Sequence, residues 1–362
     1  MEYVFGDVLK IKNGKNQKAV ENPEGMYPIY GSGGVIGCAD NYICEADTVV
    51  IGRKGSINNP IYVGEPFWNV DTAFGLEANP EVLLPRYLYY FCKYFDFERL
   101  NKAVTIPSLT KGDLLKININ VPPLDKQKAT VEQLLGIDAI INLRQKELQK
   151  LDDLIKARFV EMFGDENNSK DWNIVHVEDV ADVQVGVVIK PSQYYTDENN
   201  GIRAFRSLNV GEGFIKDSDW VYFTIEGHQK NSKSILKEND LLIVRSGAPG
   251  TTCVVTKDYV GCNAIDIIIA HPDCEKVNPY YLCTFTNMPH GKKQIIKGIG
   301  GAAQQHFNVG KYNKMYLMLP PKELQDEFVE FLVQVDKSKV AVQKALEKTK
   351  LLFDSLMQQY FG

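Results

Sequence analysis

The sequence has no long apolar run, no paired cysteines and no surplus of positive charge, and each absence removes a class of function. Nowhere do about 18 apolar residues follow one another, and the opening MEYVFGDVLK lacks a basic stretch leading into an apolar one. Membrane spanning and export are therefore not expected. The cysteines number 7, scattered as Cys38, Cys44, Cys92, Cys253, Cys262, Cys274 and Cys283, with no C-x-x-C pair and no histidine at metal-ligand spacing. They read as reduced thiols of a cytoplasmic protein. The net charge is -5 and the pI about 5.7, against a protein that grips nucleic acid by charge alone. A local basic surface, or a partner that supplies phosphate contacts, stays open.

Catalytic motifs are missing as well. The five histidines, His176, His228, His271, His290 and His306, group with neither cysteines nor carboxylates. The run Tyr30-Gly-Ser-Gly-Gly-Val-Ile-Gly37 offers backbone amides, but without the Lys-Ser/Thr ending of a nucleotide loop it reads as a turn between strands. Asn59-Pro60-Ile61-Tyr62 approximates the Asn-Pro-Pro-Tyr of amino-methyltransferases, yet one proline is replaced and no cofactor-binding glycine loop precedes it. Asp273-Cys-Glu275-Lys276 lies in a proline-flanked turn with its acids too close in sequence for a nuclease site.

What is there is a duplication. PPLDKQKATVEQLLGID, Pro122 to Asp138, aligns without a gap on PPKELQDEFVEFLVQVD, Pro320 to Asp336, and the match continues to Phe163-Gly164 and Phe361-Gly362. Upstream the copies correspond more loosely: Asp7-Val8 with Asp179-Val180, the stretch from Asp47 to Arg53 and Gly55 with that from Asp240 to Arg245 and Gly247, and Pro85-x-Tyr87-Leu88 with Pro279-x-Tyr281-Leu282. Runs rich in β-branched and aromatic residues at 3–11, 47–52 and 60–63, and at 174–183, 240–245 and 252–256, predict strands; 85–100 and 279–290 predict short helices opened by proline. Each copy is thus mixed, a curled sheet with a few helices. An old duplication whose loops have drifted explains the uneven divergence as well as two different binding surfaces on one scaffold does.

After each Pro-Pro the period changes to heptads. Leu134, Ile141, Leu148 and Ile155 recur in the first copy; Leu332, Leu346 and Phe353, with Val335 and Val342 in the companion position, do so in the second. A helix of about 38 residues would be about 57 Å long, and its narrow apolar stripe suits another such helix. Packed side by side, the two must run antiparallel, with one β-rich domain at each end of a rod. Arg144, Arg158 and Lys339 interrupt the seam, as register-fixing residues or as side chains that reach past it to solvent.

A Pro-Pro motif leading into a heptad helix that ends in Phe-Gly, repeated about 200 residues later, resembles the conserved regions of type I restriction-modification DNA specificity subunits. The resemblance covers essentially the whole chain. It implies an α+β protein with a target-recognition domain at 1–121, a central conserved helix at 122–164, a second target-recognition domain at 165–319 and a C-terminal conserved helix at 320–362. Each domain would read one half of a bipartite double-stranded DNA target, and the antiparallel coiled coil would set the spacer between the halves. Two methyltransferase subunits would bind, joined by restriction and translocase subunits. S-adenosylmethionine, ATP and Mg are expected on those partners, and no catalysis by this chain. One departure stands out: Lys322 and Leu324 replace Leu124 and Lys126, so a less regular turn into the second helix is expected.

Base reading needs bidentate side chains, Arg or Lys for guanine and Asn or Gln for adenine, on loops or edges that reach a groove. The candidates are Arg53, Lys54, Ser56, Asn58 and Asn59, with Ser108, Thr110 and Lys111, in the first copy. In the second they are Arg203, Arg206 and Asn209, Arg245 and Ser246, and Gln304, Gln305 and His306. Both copies put an arginine after the strand that opens on an acidic residue, and a polar loop shortly before Pro-Pro. The competing reading is a scaffold of tandem protein-binding domains on a coiled coil, which the acidic pI suits.

Overall fold

Both Pro-Pro sequences turn into helices of 40 residues, Leu124–Phe163 and Lys322–Phe361. The turn is held by a glutamine that the two copies share. Gln127 is fully buried; its amide donates to the carbonyls of Val82 and Pro122 (2.8 Å each), and its oxygen accepts from the Leu84 amide (2.8 Å). Gln325, equally buried, donates to Pro320 (2.8 Å) and Lys276 (3.4 Å) and accepts from Asn278 (2.8 Å). One side chain thereby ties the start of each long helix to the start of a short one, Pro85–Tyr94 or Pro279–Asn287. The turn into the second helix is as regular as the first, contrary to expectation: the exchange of Leu124 and Lys126 leaves the glutamine and both prolines in place.

The computed structural model describes residues 1–102, 105–298 and 306–362. The chain is α+β and divides into two compact units, 1–147 with 342–362, and 148–341, so that each unit takes one end of each long helix. In the first unit the four-stranded antiparallel sheet runs Leu9–Asn13, Ala73–Ala78, Thr48–Gly52, Ile61–Val63. The second unit repeats it as Ala181–Val185, Ile267–Pro272, Leu241–Val244, Thr252–Val254. Thr48–Gly52 and Leu241–Val244 are buried on both faces, which is why they read as unbroken apolar runs. A smaller sheet follows in each unit: Gly34–Ala39, Tyr27–Gly31, Trp68–Asn69 in the first, and Tyr195–Thr196, Val221–Phe223, Ile202–Phe205, Asn263–Ala264 in the second. Its last pair is parallel in both.

Two sequence expectations need correcting. The strand at 3–11 is broken by a helical turn, Phe5–Val8, because the segment serves two sheets: Glu2–Val4 pairs with Asn118–Asn120, Leu9–Asn13 with Ala73–Ala78. The stretch 174–183 is broken in the same way at Val177–Asp179. The pairing also shifts the repeat by one residue. Gly52 faces Ala73 and Val244 faces Ile267, so the counterpart of Asp47 is Asn239 rather than Asp240, and both adopt positive φ (59° and 72°) at the turn before the strand.

Helix ends complete each core. In the first unit Val131, Leu134, Ile137, Phe353 and Met357 join Phe5, Leu76, Tyr87 and Phe91. In the second Phe159, Met162, Phe163 and Phe328 join Tyr281, Phe285 and Tyr312, with Phe159 stacked on Tyr281 at 5.7 Å between centroids. Each such phenylalanine stabilises its unit by about 1.5–3 kcal/mol. Within each unit the helix segments run antiparallel. Gln133 bonds Tyr360 while Arg144 bonds the Ala345 carbonyl and Thr349 hydroxyl; Asp152 meets Lys339 at 2.6 Å and Arg158 meets Glu327 at 3.1 Å. Leu134, Val335, Leu346 and Phe353 are buried, and Ile141, Leu148, Ile155, Leu332 and Val342 half-buried.

Candidate nucleic-acid interface

The buried strand Thr48–Gly52 delivers the loop 53–59 to the surface, and two backbone bonds dock a second loop on it. Leu109 N–H donates to the Arg53 carbonyl (2.9 Å) and Gly55 N–H to that of Pro107 (3.0 Å), while Lys54 and Ser108 form a β-bridge. The first two groups of candidate residues, far apart in sequence, therefore share one surface. Gly55 has φ 84°, a conformation in which an L side chain is strained.

Within that surface the side chains differ in what they are free to do. Arg53 is exposed, its guanidinium 5.8 Å from the Phe74 ring and in one long bond to the Asp71 carbonyl (3.4 Å). Lys54, Ser56 and Asn59 are exposed, and no side-chain hydrogen bond or ion pair engages them among the described residues. Asn58 is committed: its amide donates to Asp96 (2.9 Å) and its oxygen accepts from Phe97 N–H (2.7 Å). That amide, with the Glu98 backbone N–H, holds the Asp96 carboxyl below its ordinary range. Thr110 caps the turn Lys111–Leu114 through Asp113, and Lys111 donates to the Ile11 carbonyl (2.8 Å). Ser108 is half-buried.

The second unit repeats the scaffold and changes the chemistry. Phe307 N–H donates to the Arg245 carbonyl (3.0 Å), and Gly247 has φ 81°, so Arg245 stands where Arg53 stands. Its side chain is only 17% exposed, paired with Asp266 and bonded to the Phe307 carbonyl (3.3 Å). Ser246 is half-buried and His306 exposed; Gln304 and Gln305 lie outside the described residues. Arg203 sits 5.6 Å over the Trp220 ring and 3.8 Å from Asp217. Arg206 bonds the Asp219 carbonyl, and its buried Nε has no partner among the described residues. Asn209, fully buried, holds the Arg206 amide (2.9 Å) and the Ser218 carbonyl (2.7 Å). Its amide shapes a loop and faces no solvent.

Burial pushes the Cys44 and Cys253 thiols up to about 12, far from the thiolate a nucleophile needs. Tyr62 of the Asn-Pro-Ile-Tyr stretch is bonded to Asp47 and covered by Arg86, 3.9 Å above its ring. Among the described residues no group of three or more His, Cys, Asp or Glu is placed to hold a metal, and no helix is long and apolar enough to cross a membrane. Sequence reasoning missed Asp266, which decides how exposed Arg245 is, and the pair Val35–Ile36, both exposed within the run Tyr30 to Gly37 that reads only as a turn.

Comparison with known proteins follows the same duplicated outline. The family model of the type I restriction modification DNA specificity domain matches twice, over residues 1–153 and 169–350. The type I restriction enzyme MjaVIII specificity subunit of Methanocaldococcus jannaschii is 23% identical, over 95% of this chain and 89% of its own length. The EcoBI specificity subunit of Escherichia coli is 20% identical, over 89% and 74%. Among solved structures, the S subunit of a type I restriction-modification system from M. genitalium has the same fold, with a TM-score of 0.64 at 15% identity, covering 100% of this chain and 96% of that one. With two matched copies spanning most of its length, the chain belongs to the type I restriction modification DNA specificity family.

Proposed function

We propose that this chain selects the DNA site of a type I restriction-modification complex. Each unit reads one half of a bipartite target and the long helices fix the spacer between the halves. The observation that carries this reading is the repeated scaffold with unlike loops: the same backbone bond holds Arg53 and Arg245, but one guanidinium is exposed and the other locked to Asp266. Two readers for two different half-sites require a shared frame and divergent side chains.

Recruitment of two methyltransferase subunits, and through them of restriction subunits, is supported by apolar residues left outside the helix seam. In the first unit Leu135, Leu143 and Leu352 are exposed; in the second Leu154, Val333 and Val340 are. Leu135 and Val333 hold the same position in the two copies, as do Leu154 and Leu352, so the duplication presents one partner with two similar surfaces. On this reading the chain itself performs no chemistry; S-adenosylmethionine, ATP and Mg belong to the partners. The net charge of -5 favours a division of labour in which those partners supply phosphate contacts. The same charge favours the second reading, a protein-binding scaffold.

Footprinting of the complex with its methyltransferase subunits separates the two. Two protected segments flanking an unread spacer are expected, whereas a complex that binds all duplexes alike would sink the specificity reading. A matched heptad inserted into both helices, after Glu147 and before Val342, should lengthen the spacer; an unchanged spacer would sink the ruler.

A further inference from the structure

The strands Tyr27–Gly31 and Gly34–Ala39 form a hairpin closed by Ser32 and Gly33, with Gly31 paired to Gly34. Val35 and Ile36 follow directly, and they are 58% and 57% exposed. The register places Val35 opposite Tyr30 and Gly37 opposite Ile29, so Ile36 is the extra residue of a β-bulge; the bulge breaks the alternation of faces and leaves both side chains open to solvent. A side chain added at Gly33 or Gly34 would meet nothing within 4 Å, so the tip is slim and stands in open space.

The tip also borders the cationic loop. A Cβ on Gly55 would lie 3.7 Å from the Ser32 hydroxyl, which places the hairpin end against the segment carrying exposed Arg53 and Lys54. An apolar surface flanked by exposed cations is complementary to a groove with apolar groups on its floor and phosphates on its rims. The DNA major groove, about 12 Å wide, admits a two-stranded β-ribbon and displays the thymine methyl. In the second unit the corresponding connection, between Ile202–Phe205 and Val221–Phe223, also bears exposed apolar side chains, Leu208 at 44% and Phe214 at 55%. The topological place is shared and the side chains differ.

We infer that Val35 and Ile36 determine specificity by packing against thymine methyl groups in the major groove of the half-site read by the first unit. The inference rests on the DNA-reading function proposed above. Its test uses the full chain in complex with its methyltransferase subunits, and duplexes of the motif found by methylome sequencing, with each thymine replaced in turn by deoxyuridine. Loss of one contacted methyl should weaken wild-type binding about 4-fold, the factor for about 0.8 kcal/mol per buried carbon group, at one or two positions confined to one half-site. The Val35→Ser, Ile36→Ser double variant, its folding verified by an unchanged melting temperature, should bind the thymine duplex as weakly as wild type binds the deoxyuridine one. It should lose nothing further on methyl removal. Lys54→Ala should instead weaken all duplexes alike and lower the salt dependence. Wild-type indifference to every methyl, a target half-site without thymine, or equal loss by the double variant on target and non-target duplexes would each overturn the inference while leaving site selection standing. Failure of the wild-type complex to prefer its methylome motif would overturn site selection first, and the hairpin's role with it.

Discussion

Gln127 and Gln325 illustrate a residue whose role is written in the repeat but not in its type. The sequence aligns them, yet glutamine in an amphipathic helix reads as solvated surface, because nothing local shows that Leu84 and Asn278 offer a first-turn amide opposite. Replacing Gln127 by Leu orphans the Leu84 amide and the Val82 and Pro122 carbonyls, at about 1–3 kcal/mol for each buried group left unpaired. Gln127→Leu and Gln325→Leu should each lower the melting temperature by several degrees, and an unchanged value for either would remove the clamp from the account. His290 offers a pH test. Burial between Phe159 and Phe285 holds its pKa below the ordinary 6.5, although the Gly164 carbonyl opposes the shift. The unfolded chain therefore binds more protons, so the stability from neutral His290 is present above pH 6.5 and lost as pH falls towards the depressed value. Thermal melts from pH 7 to pH 5 should fall less steeply for His290→Leu than for the wild type; parallel profiles would contradict this.

At the scale of elements, the helices were the most legible feature and the small sheets the least. A period of seven needs only the order of residues, so Leu134 to Ile155 and Leu332 to Phe353 stand out in sequence. Ile202–Phe205 pairs in parallel with Asn263–Ala264, and no local signal announces a partner so distant. The strand expected at 3–11 failed for a related reason: its composition is uniform, but its pairing changes partner at Phe5–Val8. The polar interruptions of the seam join the helices rather than merely reaching solvent, and they do so unequally. Arg144 is half-buried and bonds a carbonyl and the buried Thr349, so Arg144→Ala should cost about 1.5–3 kcal/mol. The pair Arg158–Glu327 is largely solvated, 32% and 58% exposed, and Arg158→Ala should cost under about 1 kcal/mol. Denaturant unfolding of the two variants checks that order, and a reversed order would show that burial does not govern these contacts.

For the whole molecule the sequence carries the duplication, the class and the family, because Pro-Pro, heptads and Phe-Gly survive in both copies. The base-reading chemistry is less legible, since a polar loop residue looks the same whether it is exposed to solvent, like Lys54 and Asn59, or spent on its own fold, like Asn58 and Asn209. The central claim is that two separate readers choose the two halves of one DNA target. It is tested most directly by exchanging residues 1–121 for those of a relative with a different target and sequencing the methylome of cells that carry the chimaera with its methyltransferase. One half of the methylated motif should change, with the other half and the spacer unchanged. Alteration of both halves together, or of neither, would contradict the account.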